Sequence, residues 1–236
     1  MKLVITIKVP QMYQVANYGL CLTHSFKTHV TFGFMFGWNM INSKNWKDCM
    51  GRQPPTYLEP HGPRISNLIK SEVSSWRHPL LLPVILLEDH IYNADRCKGI
   101  DLSPRTTRLE RQLRVTKAGR NANQSRSIDF EVLSQDIISN RFTIITDINT
   151  TITDVVTFAT NMRWDNRYCQ FLRDLSRDIL DIPGTTQGGE AKLDNTVETL
   201  ATFVASILEH TEALKARLDV QLDVVRNFIS SNDNET

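Results

Sequence analysis

The side-chain types that could carry chemistry are few and scattered. Glu88-Asp89-His90 offers two carboxylates beside an imidazole, the makings of acid/base or metal chemistry. It lacks the H-E-x-x-H spacing that sets two histidines on one helical face, and no second histidine is near. It therefore reads as the exposed face of a helix beginning at Pro79. Asp219 and Asp223 are four residues apart, on one face of a helix, and their oxygens suit Mg²⁺. They are the weak metal candidates of the chain, against a plain reading as solvated surface acids. His24 and His29 fall near strand ends with no partner visible in sequence. Gly184, Gly188, Gly189 and Lys192 imitate a phosphate loop without its Gly-Lys-Ser/Thr, and follow a helix instead of a strand. There is no G-x-S-x-G elbow and no G-x-G-x-x-G fingerprint, so the expectation is a non-enzymatic chain without a cofactor.

The elements that would hold these residues are clearer. At 236 residues, 41% hydrophobic and 22% charged, with a net charge of +1, the chain is an ordinary globular one with no global pull toward polyanions. Cys21, Cys49, Cys97 and Cys169 are spaced by 28, 48 and 72 residues, which is no disulfide framework and points to reduced thiols in a cytoplasmic setting. The expected fold class is α+β and helix-dominated. Residues 1–125 form an α/β-type N-terminal domain, and residues 126–236 a long antiparallel, coiled-coil-like hairpin turning at about 181–191.

Leu3 to Val9, Leu20 to Leu22 and Val30 to Trp38 read as strands. The prolines and glycines between residues 42 and 64 read as a loop. Helices are predicted over Ser66–Trp76 and Pro79–Lys98, with a third starting at Ser103 as N-cap and Pro104 at the first helical position. From about Asp129, apolar positions recur through Ile137, Ile144, Ile148, Ile152, Val155, Ala159, Met162, Tyr168, Leu172, Leu175 and Ile179, with a gap near Asp165. The return arm has a seam of Leu193, Val197, Leu200, Val204, Ile207, Thr211, Leu214, Leu218, Leu222, Val225 and Ile229, with a slip near Gln221. Flanking Ala201, Phe203, Ala205, Val220, Val224 and Phe228 widen the apolar surface, so the seam residues are read as the contact of a homo-oligomer.

Arg105, Arg108, Arg111, Arg114, Lys117 and Arg120 recur every third residue, and Ile91–Arg126 holds nine basic against three acidic residues. Such charges spiral around a helix instead of forming a stripe, which disfavours nucleic acid. Residues 189–236 hold nine acidic against four basic, so pairing between the two regions is expected. No apolar run approaches the roughly 18 residues of a membrane span; Pro79–Leu87 is half that and contains Pro83.

Several strings go further. Ser75-Trp76-Arg77-His78-Pro79-Leu80-Leu81-Leu82-Pro83, Asp101-Leu102-Ser103, Arg108-Leu109-Glu110-Arg111-Gln112-Leu113 and Gly119-Arg120 stand in that order. Arg163-Trp164-Asp165, Arg167-Tyr168-Cys169-Gln170-Phe171-Leu172, Glu212 to Leu222 and Asn227-Phe228 follow. Over roughly residues 65–233 this resembles the cytoplasmic part of fungal CorA-like divalent-cation transporters. The resemblance implies a cytoplasmic α/β domain, a funnel of long helices, pentameric assembly and Mg²⁺-dependent gating, with a stalk leading to two membrane spans and a Gly-Met-Asn tripeptide. Neither span nor tripeptide occurs up to Thr236, so the expectation is either a soluble relative or a truncated one, which assembles with a membrane-bound CorA-like partner or regulates it at the cytoplasmic face. The alternative is a cytosolic coiled-coil scaffold or accessory protein with no ion role.

Overall fold

The computed structural model describes residues 1–9, 18–37, 61–72, 78–113, 130–182 and 190–235. Three antiparallel strands come first: β1 (Lys2–Lys8), β2 (Tyr18–Ser25) and β3 (Val30–Gly37), in the order β1-β2-β3. Lys8 lies opposite Gly19, and Gly19 opposite Phe36, so the register fixes two faces. Ile5, Ile7, Leu20 and Leu22 alternate into the core, while Val4, Thr6, Phe32, Phe34 and Phe36 alternate outward. Phe36 lies over Gly19, and a Cβ there would have to push that half-exposed ring aside.

The helices are α1 (His61–Ser71), α2 (Leu81–Cys97), α3 (Ser103–Leu113), α4 (Phe130–Ser139), α5 (Arg141–Leu180) and α6 (Glu190–Glu235). The α+β, helix-dominated class is as the sequence indicated. Three boundaries differ. Residues 61–64, expected in the loop, open α1, because Pro63 falls in the first turn where its missing N–H leaves no bond unmade; the rest of that loop lies outside the described residues, as do 73–76 of the helix predicted over Ser66–Trp76. Ser103 caps no free helix end, because a π-helical turn, Lys98–Leu102, carries the backbone from α2 into α3. The long pattern from Asp129 is divided by a turn at Asn140.

Contacts divide the chain into two compact units, each built from two stretches of sequence. The first is Met1–Cys97 with Asn161–Ile207; the second is Lys98–Thr160 with Leu208–Thr236. The reason is that α5 and α6, 40 and 46 residues long, each supply a segment to both. In the first unit Ser176 donates to Asp194 at 2.7 Å, holding the two helices side by side, and Lys192 pairs with Glu72 at 2.7 Å. In the second, Arg105 reaches Asp154 at 2.6 Å and Thr151 at 3.2 Å, and Arg217 forks onto Glu110, its Nε donating at 2.8 Å.

The seams are more regular than their apolar letters. On α5 the buried positions run Ile148, Thr151, Val155, Phe158, Met162, Asp165, Cys169, Leu172, Ser176 and Ile179, an unbroken alternation of three and four. Ile152 and Leu175, expected inside, are only half-buried; Thr151 and Ser176 take those places. On α6 the run is Leu193, Val197, Leu200, Val204, Ile207, Thr211, Leu214, Leu218, Gln221 and Val225. There is no slip: buried Gln221 holds the seam, with Leu222 beside it. All these positions are covered within a single chain, so their burial asks for no second copy.

Candidate functional site

The strongest concentration of buried polar groups lies in the first unit, where α2 and α5 bring His90 and Asp165 together. Both side chains are wholly buried, with His90 Nε2 3.4 Å from Asp165 Oδ1. Here the sequence reading is corrected. Glu88-Asp89-His90 is not an exposed face: Asp89 and His90 are buried and Glu88 is half-buried. The cause is the run Leu80–Leu87, which is sunk in the core, so that α2 is enclosed on nearly every side and its polar residues go in with the rest.

Around the pair stand groups that each need a partner. The Tyr18 ring meets His90 edge-on, at 6.0 Å between centroids. Tyr168 donates its hydroxyl to the Pro83 carbonyl at 3.4 Å. Asn93 donates to the Asp89 backbone carbonyl at 2.7 Å, and Arg64 of α1 brings Nε to 3.4 Å from Asp89 Oδ1 while its guanidinium stacks 3.4 Å from the Tyr92 ring centroid. Neither oxygen of Asp165 meets hydrogen-bond geometry among the described residues. Burial accordingly pushes Asp165 up to about 6, against the opposing pull of His90. Burial likewise raises Tyr18 and Tyr168 well above the ordinary phenol, and drives the neighbouring Cys169 thiol to about 12.

This arrangement can hold or release a proton with pH. It presents no activated nucleophile: Cys169, one residue past Tyr168, is held as the thiol. Asp165 went unseen in sequence because it stands in the apparent gap of an apolar count. The signal that would have found it was the three-four spacing itself, which the gap does not interrupt.

Three further imidazoles are placed. His24 has a partner after all, its Nδ1 lying 2.8 Å from Thr31 Oγ1 and its ring edge-on to Phe26. His29 sits in the β2–β3 turn with φ of 53°. His78 is buried, its Nδ1 accepts the Leu80 N–H at 3.2 Å, and burial lowers its pKa to about 4.

The metal candidates do not converge. Asp219 Oδ2 pairs with Lys215 Nζ at 2.6 Å and Asp223 Oδ1 lies 3.6 Å from Arg226, and no group of three metal-ligating side chains occurs among the described residues. Of the expected pairing of basic 91–126 with acidic 189–236, residues 114–126 lie outside the described residues, and the described part shows two links. Arg105 turns to Asp101 and Asp154, and the link from α3 to α6 has the opposite sign, Arg217 of α6 on buried Glu110 of α3. Arg114, Lys117 and Arg120, Cys49 and the glycines of 184–189 lie outside the described residues. Among the described residues no helix is long and apolar enough to cross a membrane. Compared with family models, with curated proteins and with solved structures, the chain finds no match.

Proposed function

We propose that the chain is a non-enzymatic module, similar to the cytoplasmic part of CorA-like divalent-cation transporters, which assembles with or regulates a membrane-bound transporter of that kind. The observation that carries this reading is the pair of long helices, 40 and 46 residues with strict three-four seams, preceded by a small sheet and short helices. That is the element order the motif resemblance implies. Long paired helices transmit small displacements along their axes, as cation-dependent gating from a cytoplasmic part requires. Beyond the seam, Phe203 and Val220 are 41% and 51% exposed, apolar side chains available to neighbouring helices of an oligomer.

A second reading, a coiled-coil scaffold with no ion role, is favoured by one fact: Asp219 and Asp223 are both already engaged by cationic neighbours. Flotation of host-cell membranes separates the two. The transporter-associated module floats with membranes and is released by detergent, whereas the scaffold stays at the bottom of the gradient. Light scattering on the purified chain tests assembly independently, with Phe203→Asp expected to lower the mass of the wild-type assembly.

A further inference from the structure

The outer face of the sheet has features that neither reading uses. Phe32, Phe34 and Phe36 alternate along β3 and point the same way, 74%, 68% and 50% exposed. At about 3.4 Å per residue they stand about 7 Å apart in a row. The Phe34 and Phe36 rings lie 5.9 Å apart, and Phe36 covers Gly19, which is paired with Lys8. Beside Lys8 a groove of about 540 Å³ opens between β1 and the α5 face of Trp164, Arg167, Tyr168 and Phe171. Those four positions follow a helical i, i+3, i+4, i+7 spacing, and the rings of Trp164, Tyr168 and Phe171 follow one another at 5.1 and 6.3 Å.

Charge gives the surface its sign. From Met1 to Gly37 the chain contains Lys2, Lys8 and Lys27 and no aspartate or glutamate at all. Neither Lys8 nor Arg167, the two cations lining the groove, is engaged in an ion pair among the described residues. An uncompensated cationic groove that leads onto a row of exposed rings is a surface for a polyanion carrying flat apolar faces.

We propose that this face binds single-stranded nucleic acid, with Arg167 and Lys8 on backbone phosphates and Phe36, Phe34 and Phe32 stacking successive bases. Stacking on exposed rings is indifferent to sequence, because every base offers a π-face. Two other occupants fit less well. A second copy would bring Lys2, Lys8 and Lys27 against themselves without counter-charge. A bilayer would have to cover the outer edge of β3, which pairs with no other described strand, and open backbone N–H and C=O groups find no partner in hydrocarbon. The row from the groove to Phe32 accommodates about four nucleotides.

The test is fluorescence anisotropy of labelled oligothymidine and oligouridine of about twelve nucleotides, titrated with the full chain beside a duplex of equal length. Single strands should bind with Kd of roughly 1–100 µM at low salt, in preference to duplex, with a slope in log salt of about −1.4 for two phosphate contacts. Phe34→Ala should weaken binding at least about five-fold. Lys8→Gln should flatten the salt slope by about 0.7. All these positions are exposed, and an unchanged circular dichroism spectrum confirms that a variant is folded. Absence of binding at about 100 µM protein, preference for duplex, or binding unchanged in Phe34→Ala with Lys8→Gln overturns the proposal. So does binding to phosphatidylserine vesicles, or dimerisation through this face in light scattering, without binding of single strands.

Discussion

Replacing Asp165 by asparagine probes the buried pair at its most perturbed group. Burial raises the folded-state pKa of Asp165 from 3.8 to about 6, so between those values the folded chain holds a proton that the unfolded chain has released. Its contribution to stability is therefore full below pH 3.8 and is lost as pH rises through 6. A rise of about two pH units at 1.36 kcal/mol each corresponds to about 3 kcal/mol. Asparagine keeps the shape and can hydrogen-bond His90, but it does not titrate. The assay is urea unfolding followed by circular dichroism at several pH values from 4 to 7, for wild type and Asp165→Asn. Groups not coupled to Asp165 titrate in both proteins and cancel in the difference, which therefore reports on the Asp165–His90 pair. Relative to wild type, the variant should gain about 2 kcal/mol between pH 4 and pH 7, because at pH 4 the unfolded carboxyl is already partly ionised, whatever its absolute stability. A difference that stays constant across this range, within about 0.5 kcal/mol, would show that Asp165 is not a strained buried acid and refute the reasoning.

His78 works in the opposite direction: its pKa falls from 6.5 to about 4, so the stability it contributes above pH 6.5 is lost as pH drops toward 4. His78→Gln should remove that loss, worth about 3 kcal/mol between pH 7 and pH 4, and unfold at lower pH than wild type in an acid titration. Arg217→Ala strands Glu110, which is 2% exposed, and should cost about 3 kcal/mol in urea unfolding. Most of that should return in the double variant with Glu110→Gln; no recovery would mean that the pair is not what holds α3 to α6. Leu218→Asp puts a carboxylate at a fully buried seam position and should cost at least about 3 kcal/mol, read as a lower melting temperature in a single chain as well as any loss of assembly. A melting temperature equal to wild type would contradict the burial of that position.

Much of the fold was legible because local pattern and tertiary burial agree there. A β-branched run marks β1, the apolar run Leu20–Leu22 marks β2, phenylalanines and glycines mark β3, and every seam position named on α6 from Leu193 to Val225 is buried. The misses share one cause. Thr151, Asp165, Ser176 and Gln221 are polar, so a count of apolar letters steps around them, whereas the helical lattice does not. Three of these four make the contacts that lock the helices: Thr151 with Arg105, Asp165 with His90 and Ser176 with Asp194. The Glu88-Asp89-His90 triplet failed the other way. Its types imply solvent, and only the packing of Leu80–Leu87 in three dimensions reverses that. The pairing of Arg217 with Glu110 spans 107 residues and runs against the regional charge balance, so no local sum would indicate it.

The transport-associated role is tested most directly by flotation of host-cell membranes after nuclease treatment, which removes any pelleting carried by nucleic acid. The account predicts that the chain rises with the membranes and leaves them when detergent is added. A chain that stays wholly at the bottom of the gradient would contradict it and leave the scaffold reading.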